Sequence, residues 1–348
     1  MYTIKEKPDD FIVDEQMTTI WFSEPQKYAV YILKKQSLNT IQVVDMITKH
    51  LRLKANDIGF AGIKDRHAIT TQYVTIPNIP GKTDIEKVLA IKIPNISLTH
   101  CGYYHKHVST PMLVGNRFTI TVRNLEDYSF RPTNNMVNYF GEQRFSKNNA
   151  DIGYAFIKKD FKRATELLLA YASDESKQTY NERKVKAYLT ENPTDHIGAL
   201  RQLPGQTCKF FLHAYQSKLW NETVSFLLKK KKIEGYTEDK IFAYIPQQIP
   251  VLFPTKIPAI GFFYDEDDWD KNVQDAIEAL FLKENITERD FVIKQMSEVT
   301  EPGAVRQTIV QIEDLKVLEQ TKDKLTISFT LQRGCYATMA LRHLLQLK

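Results

Sequence analysis

The sequence predicts an α+β protein in which a mainly helical insertion interrupts a sheet domain. Strand-like alternation of apolar and polar residues is frequent over roughly the first 150 residues, helical periodicity prevails from about 148 to 300, and strands return from about 303. Strands on both sides of a helical block are typical of an insertion into an α+β domain. We therefore expect a discontinuous domain, 1–148 plus 301–348, and an inserted domain, 149–300.

The first segment begins with a strand and a helix. Residues 27–35, which include "YAVYILKK", alternate apolar and polar side chains and predict a strand. Asn39 is a predicted helix N-cap, because its short polar side chain can accept a backbone N–H. The residues that we expect on the inner face of this helix are Ile41, Val44, Ile47 and Leu51.

Four strand-like stretches follow. "GFAGI" (59–63) predicts a buried strand, and "YVTIP" predicts a strand that stops at Pro77. "ISLTHCGYYHKH" (96–107) and "NRFTITVRNL" (116–125) alternate as paired strands do. These stretches supply the sheet of the first domain.

Helical patterns then prevail. They lie in "FKRATELLLAY" (161–171), "KFFLHAYQSKLWNETVSFLLKK" (209–230) and "VQDAIEALFLKEN" (273–285). Strands return in "RQTIVQIEDLKVLEQ" (306–320) and "KLTISFTLQ" (324–332), and the helix "ATMALRHLLQ" follows. The last strands are expected to complete the sheet of the first domain.

Composition excludes several classes of protein. The chain has 348 residues, 43% of them hydrophobic and 26% charged, which is ordinary for a protein that buries a core. No apolar run is long enough to span a membrane, and the first residues do not form a secretory signal. Three widely separated cysteines fit neither a disulfide framework nor a CxxC site, so we expect a reducing cytoplasm. A net charge of +5 permits an anionic partner without requiring one.

The motif "GFAGIKDRHAITTQ" (59–72) contains the strongest catalytic candidate. It places Asp65 between Lys64 and Arg66, with His67 next. A carboxylate beside such cations stays ionised at neutral pH, so Asp65 could act as a nucleophile or a general base. The alternative is a structural aspartate that is tied to Arg66. Glycines in the preceding strand allow close approach of a ligand or another backbone.

Two aromatic motifs are candidates for holding a base. Asn116 and Phe118 are two residues apart on a strand and therefore share a face, so the amide could bind the edge of a heterocycle and the ring could stack on it. The alternative is a core phenylalanine beside a turn asparagine. "NYFGEQRFS" (138–146) groups aromatics around Gly141 and Arg144, which suits either RNA binding or a packed corner.

A histidine-rich stretch is the one metal candidate. It contains His100, Cys101, His105 and His107, and the last two could share a strand face. No fourth-ligand pattern or supporting carboxylate accompanies them, so we expect no metal site.

Taken together and in order, these motifs resemble the TruD family of pseudouridine synthases. The resemblance rests on "KEKPDDFIVDE" (5–15), "NTIQVVDMI" (39–47), "GFAGIKDRHAITTQ", "GNRF" (115–118), "NYFGEQRF", "HAYQSKLWNE" (213–222), "PGAVRQ" (302–307) and "LQRGCYATMALRHLL" (331–345). It spans nearly the whole chain. It implies a pseudouridine-synthase-like domain with a mixed, largely antiparallel sheet, and a mainly helical α/β insertion domain of the TRUD type.

The resemblance also implies an activity and its site. The activity is isomerisation of uridine to pseudouridine in tRNA, at position 13 for bacterial members, without a cofactor or a metal. By resemblance Asp65 is the catalytic aspartate, Phe118 stacks on the target base with Asn116 beside it, and Lys5 reaches the site. The expected support of the Asp65 loop comes from Lys64, Arg66, His67 and Gln72.

The chemistry requires these residue types. The target base must be flipped out of a folded RNA, at a cost of a few kcal/mol, and its glycosidic bond must break and re-form through C5. An ionised aspartate can act as the nucleophile or as the base that removes a sugar proton, and the sequence does not choose between them. The alternative function is a catalytically silent RNA-binding protein or RNA chaperone, which would not need Asp65. We expect a monomer that binds tRNA and no membrane.

Overall fold

The computed structural model describes residues 2–18, 20–126, 128–170, 179–230, 237–239, 242–244 and 253–347. It divides the chain into two compact units, Met1–Asn134 with Gln311–Lys348, and Asn135–Val310. The second unit begins earlier and ends later than the predicted insertion, 149–300. The difference at its far end arises because the strand Gly303–Gln307 pairs with the strand Lys256–Ile260.

The described residues contain both strands and helices, which confirms the predicted α+β class. The strands are β1 (Phe11–Met17), β2 (Tyr28–Gln36), β3 (Gly59–Phe60), β4 (Ile69–Pro77), β5 (Ile96–Tyr104), β6 (Leu113–Arg123), β7 (Tyr128–Phe130), β8 (Asn135–Val137), β9 (Thr237–Asp239), β10 (Phe242–Tyr244), β11 (Lys256–Ile260), β12 (Gly303–Gln307), β13 (Ile309–Gln311), β14 (Glu313–Gln320), β15 (Lys324–Gln332) and β16 (Leu345–Leu347). The α-helices are α1 (Thr40–Leu51), α2 (Ile85–Leu89), α3 (Asn149–Ile157), α4 (Phe161–Ala170), α5 (Tyr180–Glu191), α6 (His196–Leu200), α7 (Gly205–Lys230), α8 (Lys271–Glu284) and α9 (Ala337–Leu344).

The first unit is built on an eight-stranded sheet. Its order is β14-β15-β6-β1-β4-β2-β5, and β3 pairs with β4. Strands β1 and β4 pair in parallel, and the other strand pairs of the sheet are antiparallel. The sheet is therefore mixed and largely antiparallel, as predicted. β5 and β6 do not pair with each other: β5 pairs with β2, whereas β6 lies between β1 and β15.

Helix α1 packs on this sheet and begins where the sequence predicts. The Asn39 side chain accepts the backbone N–H of Gln42 at 2.8 Å, which confirms it as the N-cap. Ile41 is 44% exposed, so its predicted place on the inner face is wrong. Thr40 and Val43 are buried instead, and the Thr40 hydroxyl bonds to buried partners beneath the helix.

The predicted strand 59–63 ends after Phe60, and Ile63 is 67% exposed. The chain leaves the strand ladder there because side chains provide its hydrogen-bond partners. The Gln72 amide donates to the carbonyl oxygen of Gly62 at 3.3 Å, and the Thr40 hydroxyl accepts the backbone N–H of Lys64 at 3.0 Å. Residues 61–68 therefore form a loop whose position is set by α1 and β4.

The second unit is mainly helical, and the predicted helices α4, α7 and α8 are present. Residues of three sequence motifs, "NYFGEQRFS", "HAYQSKLWNE" and "PGAVRQ", contact one another in this unit. The Arg306 guanidinium lies 4.0 Å from the centre of the Phe140 ring and 5.3 Å from that of Trp220, and it donates to the Asn138 carbonyl oxygen. The Asn221 side chain accepts the backbone N–H of Phe140 and donates to its carbonyl oxygen, both at 3.0 Å. Of the two interpretations of "NYFGEQRFS", these contacts show the packed corner.

Among the described residues, no helix is both long and apolar enough to cross a membrane.

Candidate active site

A row of side chains crosses five strands on the inner face of the sheet. Lys35 lies opposite Thr70, Thr70 opposite Val13, Val13 opposite Phe118, and Phe118 opposite Phe329. Directly opposed residues of paired strands project from the same face, and all five are buried. The loop 61–68 contacts this face.

Lys64 turns inward from the loop to a buried carboxylate. Its Nζ lies 2.8 Å from Glu15 Oε1 and donates to Asn116 Oδ1 at 2.6 Å. The other carboxylate oxygen of Glu15 accepts the backbone N–H of Tyr73 at 2.8 Å. The Glu15 side chain is 0% exposed. A buried charge pair needs such additional hydrogen bonds to offset desolvation, so this cluster fixes the loop to β1, β4 and β6.

A second set of hydrogen bonds holds the backbone of the loop. The Thr40 hydroxyl accepts the N–H of Lys64 and donates to Gln72 Oε1 at 2.8 Å. The amide of Gln72 in turn donates to the Gly62 carbonyl oxygen. Thr40 and Gln72 are fully buried, so this chain of bonds is shielded from competing water.

Asp65 follows Lys64 and keeps its carboxylate 30% exposed. Lys5 Nζ lies 3.3 Å from Asp65 Oδ1 and 4.1 Å from the centre of the Phe11 ring. Lys5 thus joins the carboxylate to an aromatic surface, in the geometry of a cation–π contact. The result is an accessible carboxylate with a cation beside it.

Lys35, on β2, holds the backbone of Asp65 through a hydrogen bond. It is 1% exposed, and its Nζ donates to the carbonyl oxygen of Asp65 at 2.8 Å and to that of Leu38 at 2.6 Å. Burial lowers the pKa of Lys35 to about 8, although the nearby Asp65 charge opposes this shift. The ammonium group therefore anchors the residue that carries the exposed carboxylate.

Phe118 lies in the aromatic part of the row and is 7% exposed. Its ring meets the ring of Phe11 edge-on at 6.1 Å, and that of Phe329 at 5.7 Å with a tilt. Phe118 is therefore packed in the core on these two sides.

The structure brings most of the predicted site residues together. Lys5, Lys64, Asp65, Gln72 and Asn116 are joined by the contacts above, and Phe118 lies in the neighbouring row.

The two cations beside Asp65 in the sequence are not its partners. Lys64 pairs with Glu15, and the charge that reaches the carboxylate comes from Lys5. Arg66 and His67 are exposed, and neither side chain makes a hydrogen bond or ion pair with any described residue. The alternative in which Asp65 is tied to Arg66 is therefore wrong for the described contacts.

Sequence reasoning did not assign roles to Glu15, Lys35 or Thr40. A signal was present for two of them. Glu15 follows Phe11 and Val13 at a spacing of two, and Lys35 follows Tyr31 and Leu33 in the same way, so both charges occupy inward positions of strands.

The histidine-rich stretch makes aromatic contacts. His107 packs on the Tyr28 ring at 4.2 Å, with Nδ1 3.3 Å from the Thr75 hydroxyl, and His105 lies against the Tyr104 ring at 4.4 Å. No group of three or more His, Cys, Asp or Glu side chains is placed to hold a metal ion in the described part of the chain.

A partly exposed carboxylate on an anchored backbone, with one adjacent cation and aromatic rings nearby, has the features that nucleophilic or general-base catalysis requires. The family model of "tRNA pseudouridine synthase D (TruD)" matches residues 2–182, 174–257 and 257–344. The chain belongs to the TruD family.

Named relatives match over nearly their whole length. The chain is 29% identical to the probable tRNA pseudouridine synthase D of Nanoarchaeum equitans, with 98% of each chain covered. It is 26% identical to the tRNA pseudouridine synthase D of Aquifex aeolicus, covering 98% of this chain and 97% of that protein. The crystal structure of the putative tRNA pseudouridine synthase D from Methanosarcina mazei superposes with a TM-score of 0.70 at 22% identity, over 99% of this chain and 93% of that one, which shows the same fold.

The buried lysine gives a testable dependence of stability on pH. The pKa of Lys35 is about 8 in the folded protein, against an ordinary value of 10.5. Between these two pH values the unfolded chain therefore binds more protons than the folded protein does. The free energy of unfolding of the native protein should therefore rise with pH across this window, by up to about 3 kcal/mol at about 1.4 kcal/mol per pH unit. Lys35→Met should lack this rise.

Denaturant unfolding of the native protein and of Lys35→Met at several pH values between 7.5 and 10 measures the difference between their free energies of unfolding. The contributions of the other titrating groups cancel in this difference. Parallel curves for the two proteins would show that Lys35 does not titrate in this range.

Proposed function

We propose that this chain isomerises uridine to pseudouridine in tRNA, at position 13, with Asp65 as the catalytic carboxylate. The observation that carries the proposal is the partly exposed carboxylate of Asp65, 3.3 Å from Lys5, on a backbone anchored by buried Lys35. Family membership supports tRNA as the substrate, and position 13 follows the bacterial members that the sequence resembles. The proposal includes no metal and no cofactor.

The reaction is an internal exchange of bonds. The bond between N1 of uracil and C1′ of the ribose breaks, a bond between C5 and C1′ forms, and the proton leaves C5 while N1 gains one. Asp65 serves either as the nucleophile that holds the sugar or as the base that removes a sugar proton. In both routes the reacting group is the carboxylate, and the Lys5 ammonium lies 3.3 Å from it.

Asn116 is assigned to the edge of the uracil. Its Oδ1 is taken by Lys64 Nζ at 2.6 Å, so the Nδ2 group is the end of the amide that can donate to a substrate. A uracil carbonyl oxygen is a suitable acceptor. The buried Glu15–Lys64 pair thereby sets the orientation of the amide.

Phe118 is assigned to contact with the flipped base across the small part of the ring that stays exposed. Phe118→Leu tests this with little change in volume, at an expected cost below about 1.5 kcal/mol. We expect its melting temperature and tRNA affinity to stay close to those of the native protein, since phosphates supply most of the affinity. The turnover at saturating tRNA should fall by about 5- to 150-fold, because a stacked base is worth about 1–3 kcal/mol. Unchanged turnover in a folded Phe118→Leu protein would restrict Phe118 to the core.

The proposal is tested in cells by mapping pseudouridines in tRNA with and without this gene. Loss of one modification at position 13 on deletion, and its return with the native gene, is the expected result. An unchanged map would favour the alternative of a silent RNA-binding protein. On the basis of its separated cysteines, we place the enzyme in the cytoplasm. We further propose that it acts as a monomer.

A further inference from the structure

The far end of helix α1 lines a basic concavity that the proposed reaction does not use. Its volume is about 530 Å³, and its walls come from the end of α1 and from the segment around α2. The basic side chains in its lining come from His50, Arg52, Lys82, Lys87 and Lys92, and the lining contains no carboxylate.

Most of this charge is not neutralised within the protein. Lys87 is paired with Asp84 at 3.2 Å. Arg52, Lys82 and Lys92 are exposed, and none of them lies within ion-pair distance of a carboxylate in the described part of the chain. Three unpaired cations from separate segments therefore surround one concave surface.

A purely structural explanation covers only part of this cluster. A cation near a helix C-terminus interacts favourably with the helix dipole, which accounts for Arg52 at the end of α1. Lys82 and Lys92 lie in other segments, before and after α2, and the dipole of α1 does not explain why they line the same concavity. Together with Arg52, these lysines make the electrostatic potential of the concavity positive, which suits an anionic partner.

Helix α1 fixes the position of this surface relative to Asp65. Its first residue, Thr40, accepts the N–H of Lys64, and its last residue, Leu51, lines the concavity. Twelve residues at about 1.5 Å each give a length of about 18 Å. The helix is held by buried Val43, Val44 and Ile47, so the two ends form one rigid spacer.

We propose that this concavity binds the phosphate backbone of the RNA substrate, at the end of α1 that lies about 18 Å along the helix from Thr40. The proposal rests on the proposed function, because it takes the partner to be the tRNA whose uridine reaches Asp65. Charge complementarity carries it: unpaired cations on a concave surface match a chain of phosphates, which supply most of the affinity in such complexes. The concavity contributes to binding and not to the chemical step.

The test replaces three cations, in Arg52→Gln, Lys82→Gln and Lys92→Gln combined. The control removes three exposed lysines of the same unit that lie outside the lining, in Lys106→Gln, Lys316→Gln and Lys322→Gln combined. Both variants lose the same net charge. For each, the dissociation constant for tRNA is measured at several salt concentrations, together with the single-turnover rate at saturating enzyme and the melting temperature.

We expect the concavity variant to bind tRNA at least about tenfold more weakly at 0.1 M salt, with a salt slope smaller by up to about 2.7. Its single-turnover rate and melting temperature should match those of the native protein, and the control should lose less than about threefold in affinity. Equal losses in both variants, an unchanged salt slope, or a lower saturated rate would overturn the proposal. If the native protein forms pseudouridine and the concavity variant binds normally, only this inference fails. If the native protein neither binds nor modifies tRNA, the proposed function fails.

Discussion

Asp65→Asn should give a protein that folds, binds tRNA and forms no detectable pseudouridine. The amide has the size of the carboxylate and can still accept a hydrogen bond, but it cannot act as nucleophile or base. Stability should change little, because the pair lost with Lys5 is partly exposed and such pairs contribute about 0–1 kcal/mol. Lys35 bonds to the backbone carbonyl of Asp65, and this anchor does not depend on the carboxylate.

The measurements are pseudouridine formation on an unmodified tRNA transcript, tRNA affinity and melting temperature. Asp45→Asn is the matched control, since this carboxylate lies exposed on α1 and should be replaceable without loss of activity. Appreciable turnover by the folded Asp65→Asn protein would show that Asp65 holds the loop and does not act in catalysis.

Lys64→Met should be the most destabilising single change in the site. It leaves the fully buried Glu15 carboxylate without its cation, and such a loss costs about 3–5 kcal/mol. It also removes the donor to Asn116 Oδ1. Arg66 is the exposed residue that directly follows Asp65, and Arg66→Met should change the free energy of unfolding by less than about 0.5 kcal/mol.

A double substitution measures how much Glu15 and Lys64 stabilise each other. In Lys64→Met with Glu15→Gln the buried charge is absent, and the glutamine oxygen can still accept the backbone N–H of Tyr73. We expect the double variant to be more stable than Lys64→Met alone, by at least about 1 kcal/mol, because the two residues are coupled. If the two losses simply add in denaturant unfolding, Glu15 and Lys64 do not stabilise each other.

The strands of the first unit could be predicted because alternation with a period of two is a local property of the chain. The same alternation places Glu15 and Lys35 at inward positions of β1 and β2. It could not show which groups meet them, since Lys64 is distant from Glu15 and Asn116 in sequence and adjacent to them only in the fold.

Local pattern failed where side-chain hydrogen bonds replace apolar contact. Ile63 looked like a continuation of a buried strand, and Ile41 looked like part of an inner helix face. Ile63 lies in the loop that the bonds from Thr40 and Gln72 hold, and Ile41 is exposed on α1, where Thr40 and Val43 are buried. The candidate catalytic residue could be chosen from the motif, but its cation could not, because Lys64 and Arg66 were equally close in sequence and Lys5 is the one beside it in the fold.

The most direct measurement of the central claim uses the purified chain and an unmodified tRNA transcript with a uridine at position 13. After incubation without added metal or cofactor, pseudouridines are mapped at single-nucleotide resolution, with Asp65→Asn in parallel. We predict one pseudouridine at position 13 with the native chain and none with the variant. A tRNA that is bound by the native chain and remains free of pseudouridine at every position would contradict the account.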